Sequence, residues 1–203
     1  MDRAKERALR REAFLDAAIA VISDEGPGAS MESIAQAAGV SKPILYRHFT
    51  DREGLIEALA ERFVGELADR LAEILSADID PVEMLRLSID AYVATIEDDP
   101  SLYRFLTSRI PPRGAALSTL VDRLAAVIAR TLAEAFRAAG LDTAPARPWS
   151  YGIVGMVHLA GDDWVARPAI PRAELVDDLI RLLWDGIAGV AVQVPDPSAW
   201  RSH

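Results

Sequence analysis

Lys42, Tyr46, Arg47 and His48 fall within seven residues of one another, in the segment S-K-P-I-L-Y-R-H-F. A lysine can donate to guanine O6 or N7, and a tyrosine hydroxyl can donate to a phosphate while its ring packs on the sugar. Histidine and arginine add further donors. These are the residue types that hold and read duplex DNA. One other constellation stands out after residue 60, namely His158, Asp162 and Asp163. His158 and Asp162 are spaced i, i+4, so they share a helix face and could share a metal ion. Two ligands do not make a site, and the remaining histidines, His48 and His203, are distant in sequence. An Asp–His hydrogen bond or a solvated helix end accounts for the pair, so no metal, cofactor or catalytic residue is assigned. The chain has no cysteine, which removes thiolate metal sites and cysteine nucleophiles. It also lacks a P-loop, a nucleophile elbow and an H-E-x-x-H motif.

The elements that must position the first group are legible around it. Ser30 to Ala38 reads as a short helix capped by Ser30, with Glu32 near its positive end. Gly39 supplies a left-handed turn, and Ser41 to Phe49 forms a second short helix. Ser41 caps that helix and Pro43 lies in its first turn, with Lys42 as the alternative cap because a residue before proline avoids the α region. Ile34, Ala35, Ala38, Val40, Leu45 and Phe49 suffice to pack these helices on a third. Lys42, Tyr46, Arg47 and His48 are then left over, which is the plan of a helix-turn-helix.

The third helix runs from about Arg3 to Ser23, with Phe14, Ala18 and Val21 or Leu15, Ile19 and Ile22 at helical spacing, and it stops at Gly26-Pro27-Gly28. Five basic residues crowd its first turns, where a frayed, solvated end competes with a reach toward phosphates. Thr50-Asp51-Arg52-Glu53 reads as a capping box opening a long helix through Leu75. Asp80-Pro81 and Asp99-Pro100 predict helices over 81–97 and 100–108. Further helices are expected at 115–139, 149–166 and 172–193, with loops at 110–114 and 145–148. The last two helices are apolar over arcs too wide for a monomer surface, which points to a two-fold four-helix bundle between copies. The reading is all-α, about nine helices and no sheet, divided into 1–52, 53–194 and a tail at 195–203.

Composition bounds the function. The chain has 203 residues, 51% of them apolar, and a net charge of −9. Through Arg52 eight basic residues balance eight acidic ones, so the deficit lies entirely beyond the helix-turn-helix. An acidic remainder discourages non-specific adhesion to nucleic acid. No apolar run is long enough to cross a membrane and no signal peptide opens the chain, so a cytoplasmic protein is expected.

The string from Ile34 to Leu59, I-A-Q-A-A-G-V-S-K-P-I-L-Y-R-H-F-T-D-R-E-G-L-I-E-A-L, resembles the DNA-binding signature of the TetR family of bacterial transcriptional regulators. The detailed match covers about a quarter of the chain, and position 43, often Gly or Ala in that family, is Pro here. The resemblance implies a homodimer that binds a double-stranded operator and releases it when a small molecule enters the C-terminal domain. It places Lys42, Pro43 and Ile44 at base-facing positions, Tyr46, His48 and Arg52 at phosphates, and gives Ser41 a possible phosphate contact beside its capping role. The effector pocket is expected among the fourth to eighth helices, with Phe63, Tyr92, Tyr103, Phe105, Met156 and Trp164 as lining and Arg109 and His158 as polar anchors. Few charges on those arcs favour a hydrophobic or amphipathic effector. Two other classes stay open on the residues alone. One is an all-helical interaction module, and the other a small-molecule enzyme using His158 and Asp162.

Overall fold

A computed structural model describes residues 3–108 and 115–186. Among them are nine α-helices: α1 (Arg3–Glu25), α2 (Met31–Ala37), α3 (Lys42–Phe49), α4 (Arg52–Ser76), α5 (Pro81–Asp98), α6 (Pro100–Ser108), α7 (Ala115–Ala138), α8 (Ala146–Ala166) and α9 (Arg172–Trp184), with one 3-10 turn at Gly26–Gly28. The described residues contain no strand. Arg109, the expected continuation of the last helix to residue 193 and the expected tail at 195–203 lie outside the described residues.

Two compact units divide the chain, residues 1–66 with 98–123, and residues 67–97 with 124–203. In the first, Phe14, Leu15, Ala18 and Ile22 of α1, Ile34 and Ala35 of α2, Leu45 and Phe49 of α3, and Leu55, Leu59 and Phe63 of α4 are buried, and α1 packs on α2. The first unit also includes α6, which packs on α1 and on the 3-10 turn. The Asp99 carboxylate holds this packing in two ways. It accepts from the Leu102 amide at 2.8 Å, capping α6, and from the Ser23 hydroxyl at 2.7 Å.

The turn of the helix-turn-helix follows from local chemistry. Ser30 caps α2 by accepting the Ser33 amide at 3.1 Å. At the other end, the Val40 amide donates to Ala35 O and the Gly39 amide to Gln36 O, both at 3.0 Å. That pair of bonds is a Schellman motif, and it requires the left-handed backbone that Gly39 adopts at φ 66°. Ser41 is the extended residue that opens α3, and Pro43 falls in the first turn where its missing N–H removes no bond.

The corner from α3 to α4 differs from the expected capping box. Thr50 is not the cap of α4, because it closes α3 with φ 60° and ψ −58°, a γ-turn in which the Asp51 amide donates to Phe49 O. Asp51 takes the capping role, accepting the Gly54 amide at 2.7 Å. An added Cβ at Gly54 would lie 2.2 Å from the Phe49 carbonyl oxygen, so only glycine lets α4 start this close to the end of α3.

In the second unit α5 buries Ile89, Tyr92, Val93 and Ile96, α8 buries Val154, Val157 and Trp164, and α9 buries Leu175, Val176, Leu179 and Ile180. Gly161 lets α8 approach α5, since an added Cβ would stand 2.9 Å from Ile96 Cδ1 and 3.1 Å from a Tyr92 ring carbon. Arg172 at the start of α9 pairs with Asp90 at 3.1 Å and Glu97 at 2.9 Å on α5, and Arg86 of α5 pairs with Asp177 of α9. Helix α8 begins at Ala146, three residues before its expected start, with Arg147 and Pro148 inside the helix. Its first amides lack helical partners in any case, so Pro148 removes no bond there.

Candidate nucleic-acid interface

Helix α3 is held by two residues and presents most of the others. Leu45 and Phe49, spaced i, i+4, are buried in the first unit, while Ser41, Pro43, Tyr46 and Arg47 are exposed and Lys42, Ile44 and His48 half-buried. The partition expected from the sequence is therefore present on one short helix. Phe49 fixes the helix axis through an edge contact with Phe14, and Arg11 of α1 lies over its ring.

Lys42 forms an ion pair with Glu32 of α2, Nζ to Oε2 at 2.6 Å. The hydrogen bond to Glu32 raises its pKa, so the ammonium is charged at any physiological pH. The Lys42 side chain is 42% and that of Glu32 73% exposed, and such a pair is readily exchanged for a better acceptor. Glu32 thus parks the lysine beside the N-terminus of α3 without burying it. The Tyr46 ring stands 38% exposed, and the Ser41 hydroxyl makes no capping bond.

His48 is placed differently. Its ring meets Phe14 edge-on at 4.9 Å, and burial together with the nearby Arg7, Arg47, Arg10 and Arg11 lowers its pKa. The imidazole is therefore neutral near pH 7. Arg52 turns into the fold: its guanidinium donates to Ala29 O at 2.8 Å, lies over the Phe105 ring at 5.8 Å, and has its Nε buried. It clamps the entry of α2 to the start of α4.

From the sequence the first turns of α1 are either a solvated end or a reach toward phosphates, and Arg47 is left over on α3 without an assigned contact. The structure brings them together. Arg3, Glu6, Arg7 and Arg10 of α1 and Arg47 and His48 of α3 line one open cleft of about 400 Å³. The spacing of Arg3, Arg7 and Arg10 already puts them on one helix face, but the 36 residues between Arg10 and Arg47 hide the convergence.

The expected pocket residues fall in both compact units. In the first, Phe63 and Tyr103 have ring centroids 6.5 Å apart, and Phe105 is buried under Arg52. In the second, the Tyr92 hydroxyl and His158 Nδ1 are 2.9 Å apart, Met156 is half-buried, and Trp164 donates to Ile170 O at 2.7 Å, closing the α8–α9 loop. Burial lowers the His158 pKa, with Asp162 opposing. No group of three or more metal-ligating side chains occurs among the described residues. Nor is any described helix long and apolar enough to cross a membrane.

Comparison with known proteins agrees with this arrangement. Residues 14–59 match the model of the bacterial regulatory proteins of the tetR family, and residues 70–199 that of the tetracyclin repressor-like C-terminal domain. An uncharacterised HTH-type transcriptional regulator of Mycobacterium tuberculosis is 37% identical over 186 residues, covering 89% of this chain and 78% of that one. The HTH-type transcriptional activator FasR of Mycolicibacterium smegmatis is 30% identical over 187 residues, 89% of this chain and 84% of its own. Among solved structures, the transcriptional regulator FadR of Bacillus subtilis, in complex with stearoyl-CoA, superposes with a TM-score of 0.70 at 22% identity, covering 87% of this chain and 98% of that one. Its likeness bears on the fold. With both halves of the pattern matched, and with relatives that are regulators rather than enzymes, the chain belongs to the TetR family of bacterial transcriptional regulators.

Proposed function

We propose that this regulator is a cytoplasmic, ligand-responsive repressor that binds a palindromic operator as a homodimer and lets go when a hydrophobic or amphipathic small molecule binds. The observation that carries the DNA-reading half is α3, which buries Leu45 and Phe49 and holds Lys42 and Tyr46 at its surface. In this reading Lys42, Pro43 and Ile44 face bases, Ser41, Tyr46 and His48 reach phosphates, and Arg52 acts from inside by holding the entry of α2. Residues 1–52 are the reader, and 53–194 the sensor and dimerisation part. Repression is the direction that follows from occupancy alone, since a bound dimer blocks a promoter without any further contact.

The dimer rests on α8 and α9. Trp149, Gly152, Met156 and Leu159 form a stripe on α8, with Trp149 57% and Leu159 68% exposed, and an added Cβ at Gly152 or Gly155 meets nothing within 4 Å. Leu182 and Trp184 of α9 are exposed as well. Apolar surface of this kind, with small residues permitting close approach, suits a second copy. Two recognition helices about 34 Å apart would then enter successive major grooves. The effector class is supported by the buried aromatic residues and by the stearoyl-CoA bound to FadR, and a coupling of roughly 1 to 3 kcal/mol would change operator affinity about 5- to 150-fold.

Replacing Lys42 and Tyr46 with alanine together should abolish specific retardation of a fragment from the regulator's own promoter while the dimer persists in sedimentation. Undiminished retardation by the double variant would overturn the assignment. Reporter expression from that promoter should rise when the gene is deleted, and a fall would reverse the direction. Native mass spectrometry of the purified protein tests the effector class through the mass of any co-purified molecule.

A further inference from the structure

The cleft between α1 and α3 has a composition that the recognition surface does not require. Arg3, Arg7, Arg10, Arg47 and His48 line it, with Glu6 as its one acidic member. Glu6 is engaged with Arg10 at 2.8 Å. The side chains of Arg3, Arg7 and Arg47 have no hydrogen bond or ion pair among the described residues, and all three are exposed. Elsewhere in the same unit Arg62 behaves otherwise, being shared among Glu12, Asp16 and Glu66. Three uncompensated guanidinium groups around one concavity repel each other, and the arrangement is stable only because water and counter-ions screen it.

A second observation points the same way. His48 sits between the two helices that form the cleft, with its ring edge-on to Phe14, and after burial the nearby Arg7, Arg47, Arg10 and Arg11 each lower its pKa further. A charge pattern of this sign selects an anion. Arginine forks bond two oxygens of a phosphate at once, and an open concavity admits a polymer backbone as readily as a free ion. The cleft also belongs to the helix that carries Lys42 and Tyr46, because Arg47 and His48 are the last turn of α3.

We infer that the α1–α3 cleft is a phosphate-binding site for the backbone of duplex DNA, with Arg7 and Arg47 as its two principal donors and Arg3 as an outer one. The inference rests on the DNA-reading proposal and extends it. Helix α1 becomes an anchoring element that grips the duplex whatever its base sequence, while the N-terminal half of α3 reads bases. Its contribution is electrostatic, so it is the same for operator and non-operator DNA and is weakened by salt.

The test uses the full-length dimer, its own promoter fragment and a random-sequence duplex of equal length, titrated across a salt series. For the paired variant Arg7→Gln/Arg47→Gln, affinity for both duplexes should fall by a similar factor, roughly 10- to 50-fold near 0.1 M salt, and the slope of log affinity against log salt should flatten by about two. Arg70→Gln/Arg137→Gln removes the same net charge from other helices and should leave slope and affinity unchanged. Both pairs are exposed, and an unaltered circular dichroism spectrum and melting temperature show that folding is intact. A wild-type slope in the cleft variant, or a loss confined to the promoter fragment, overturns the cleft assignment while the DNA-reading proposal stands. Failure of the wild-type protein to retard either duplex overturns both.

Discussion

Most arginines of the α1–α3 face lack a carboxylate partner and most of those on α8 and α9 have one, with Arg10, paired to Glu6, and Arg147, lying over the Tyr151 ring, as the exceptions. On the first, Arg3, Arg7 and Arg47 have no carboxylate partner among the described residues. On the second, Arg167 pairs with Asp163, Arg172 with Asp90 and Glu97, and Arg181 with Asp178. A paired arginine has little field left at a distance, whereas an unpaired one keeps it. The surface left at α8–α9 is then defined by Trp149, Leu159 and Trp184, which favour contact with another apolar face over a polyanion. The net charge of −9 hides this division, because the acidic residues that outnumber the basic ones lie beyond Arg52.

The largest effect expected from breaking this contrast is at the apolar face. Leu159→Glu should raise the dimer dissociation constant by about 100-fold or more, because a carboxylate would be buried without a partner. Leu141→Glu, on an apolar residue of similar exposure in the α7–α8 connection, should leave it unchanged. Sedimentation equilibrium decides, and equal effects would remove the α8 stripe from the interface.

The cationic face depends instead on rigid support, and Gly54 is its narrowest point. Gly54→Ala places a methyl group 2.2 Å from a backbone oxygen that cannot swing away. A loss of about 3 kcal/mol and a fall in melting temperature of roughly 10 °C are expected. An unchanged melting curve would mean that the corner yields.

Arg52 and Lys42 lie ten residues apart and separate support from contact. Arg52→Met deprives the Ala29 carbonyl of its donor and should destabilise the protein by about 1 to 3 kcal/mol. Lys42→Met should leave chemical denaturation unchanged and weaken operator binding only. The reverse order of stabilities would exchange their roles.

The smallest effect is on pH dependence. Burial lowers the His158 pKa below its value in the unfolded chain, and burial followed by the nearby arginines does the same for His48. The unfolded chain therefore takes up protons first as pH falls. Stability is full above the ordinary imidazole value of about 6.5 and declines as pH drops through the lowered folded values. His158→Asn should flatten the fall in melting temperature between pH 7.5 and 5.5 without removing the share due to His48. A dependence as steep as in the wild type would locate the titration elsewhere.

Much of the fold was legible because its signals are local. Ser30, Asp80-Pro81 and Asp99-Pro100 mark helix starts through groups within three residues of the amides they serve, and the structure begins α2, α5 and α6 there. Gly39 announces its turn because only a left-handed residue completes the Schellman bonds. The misses have the opposite character. Thr50 and Glu53 match a capping box in type and spacing, yet the close crossing of α3 and α4 makes Thr50 a γ-turn and hands the cap to Asp51. Pro148 resembles a loop residue until α8 is seen to start early enough to place it in the first turn.

By itself the sequence determined the helices, the helix-turn-helix and the identity of the groups left over on α3. Period, caps and glycine positions act over one or two turns of chain, so no tertiary information is needed to read them. Only the tertiary structure decided where the cations point. Lys42 rests on Glu32, Arg52 turns inward to Ala29, and Arg47 joins Arg3 and Arg7 across a cleft. The direction of a long charged side chain depends on which carboxylate, carbonyl or empty surface lies within its reach. That is set by helices packed from distant parts of the chain.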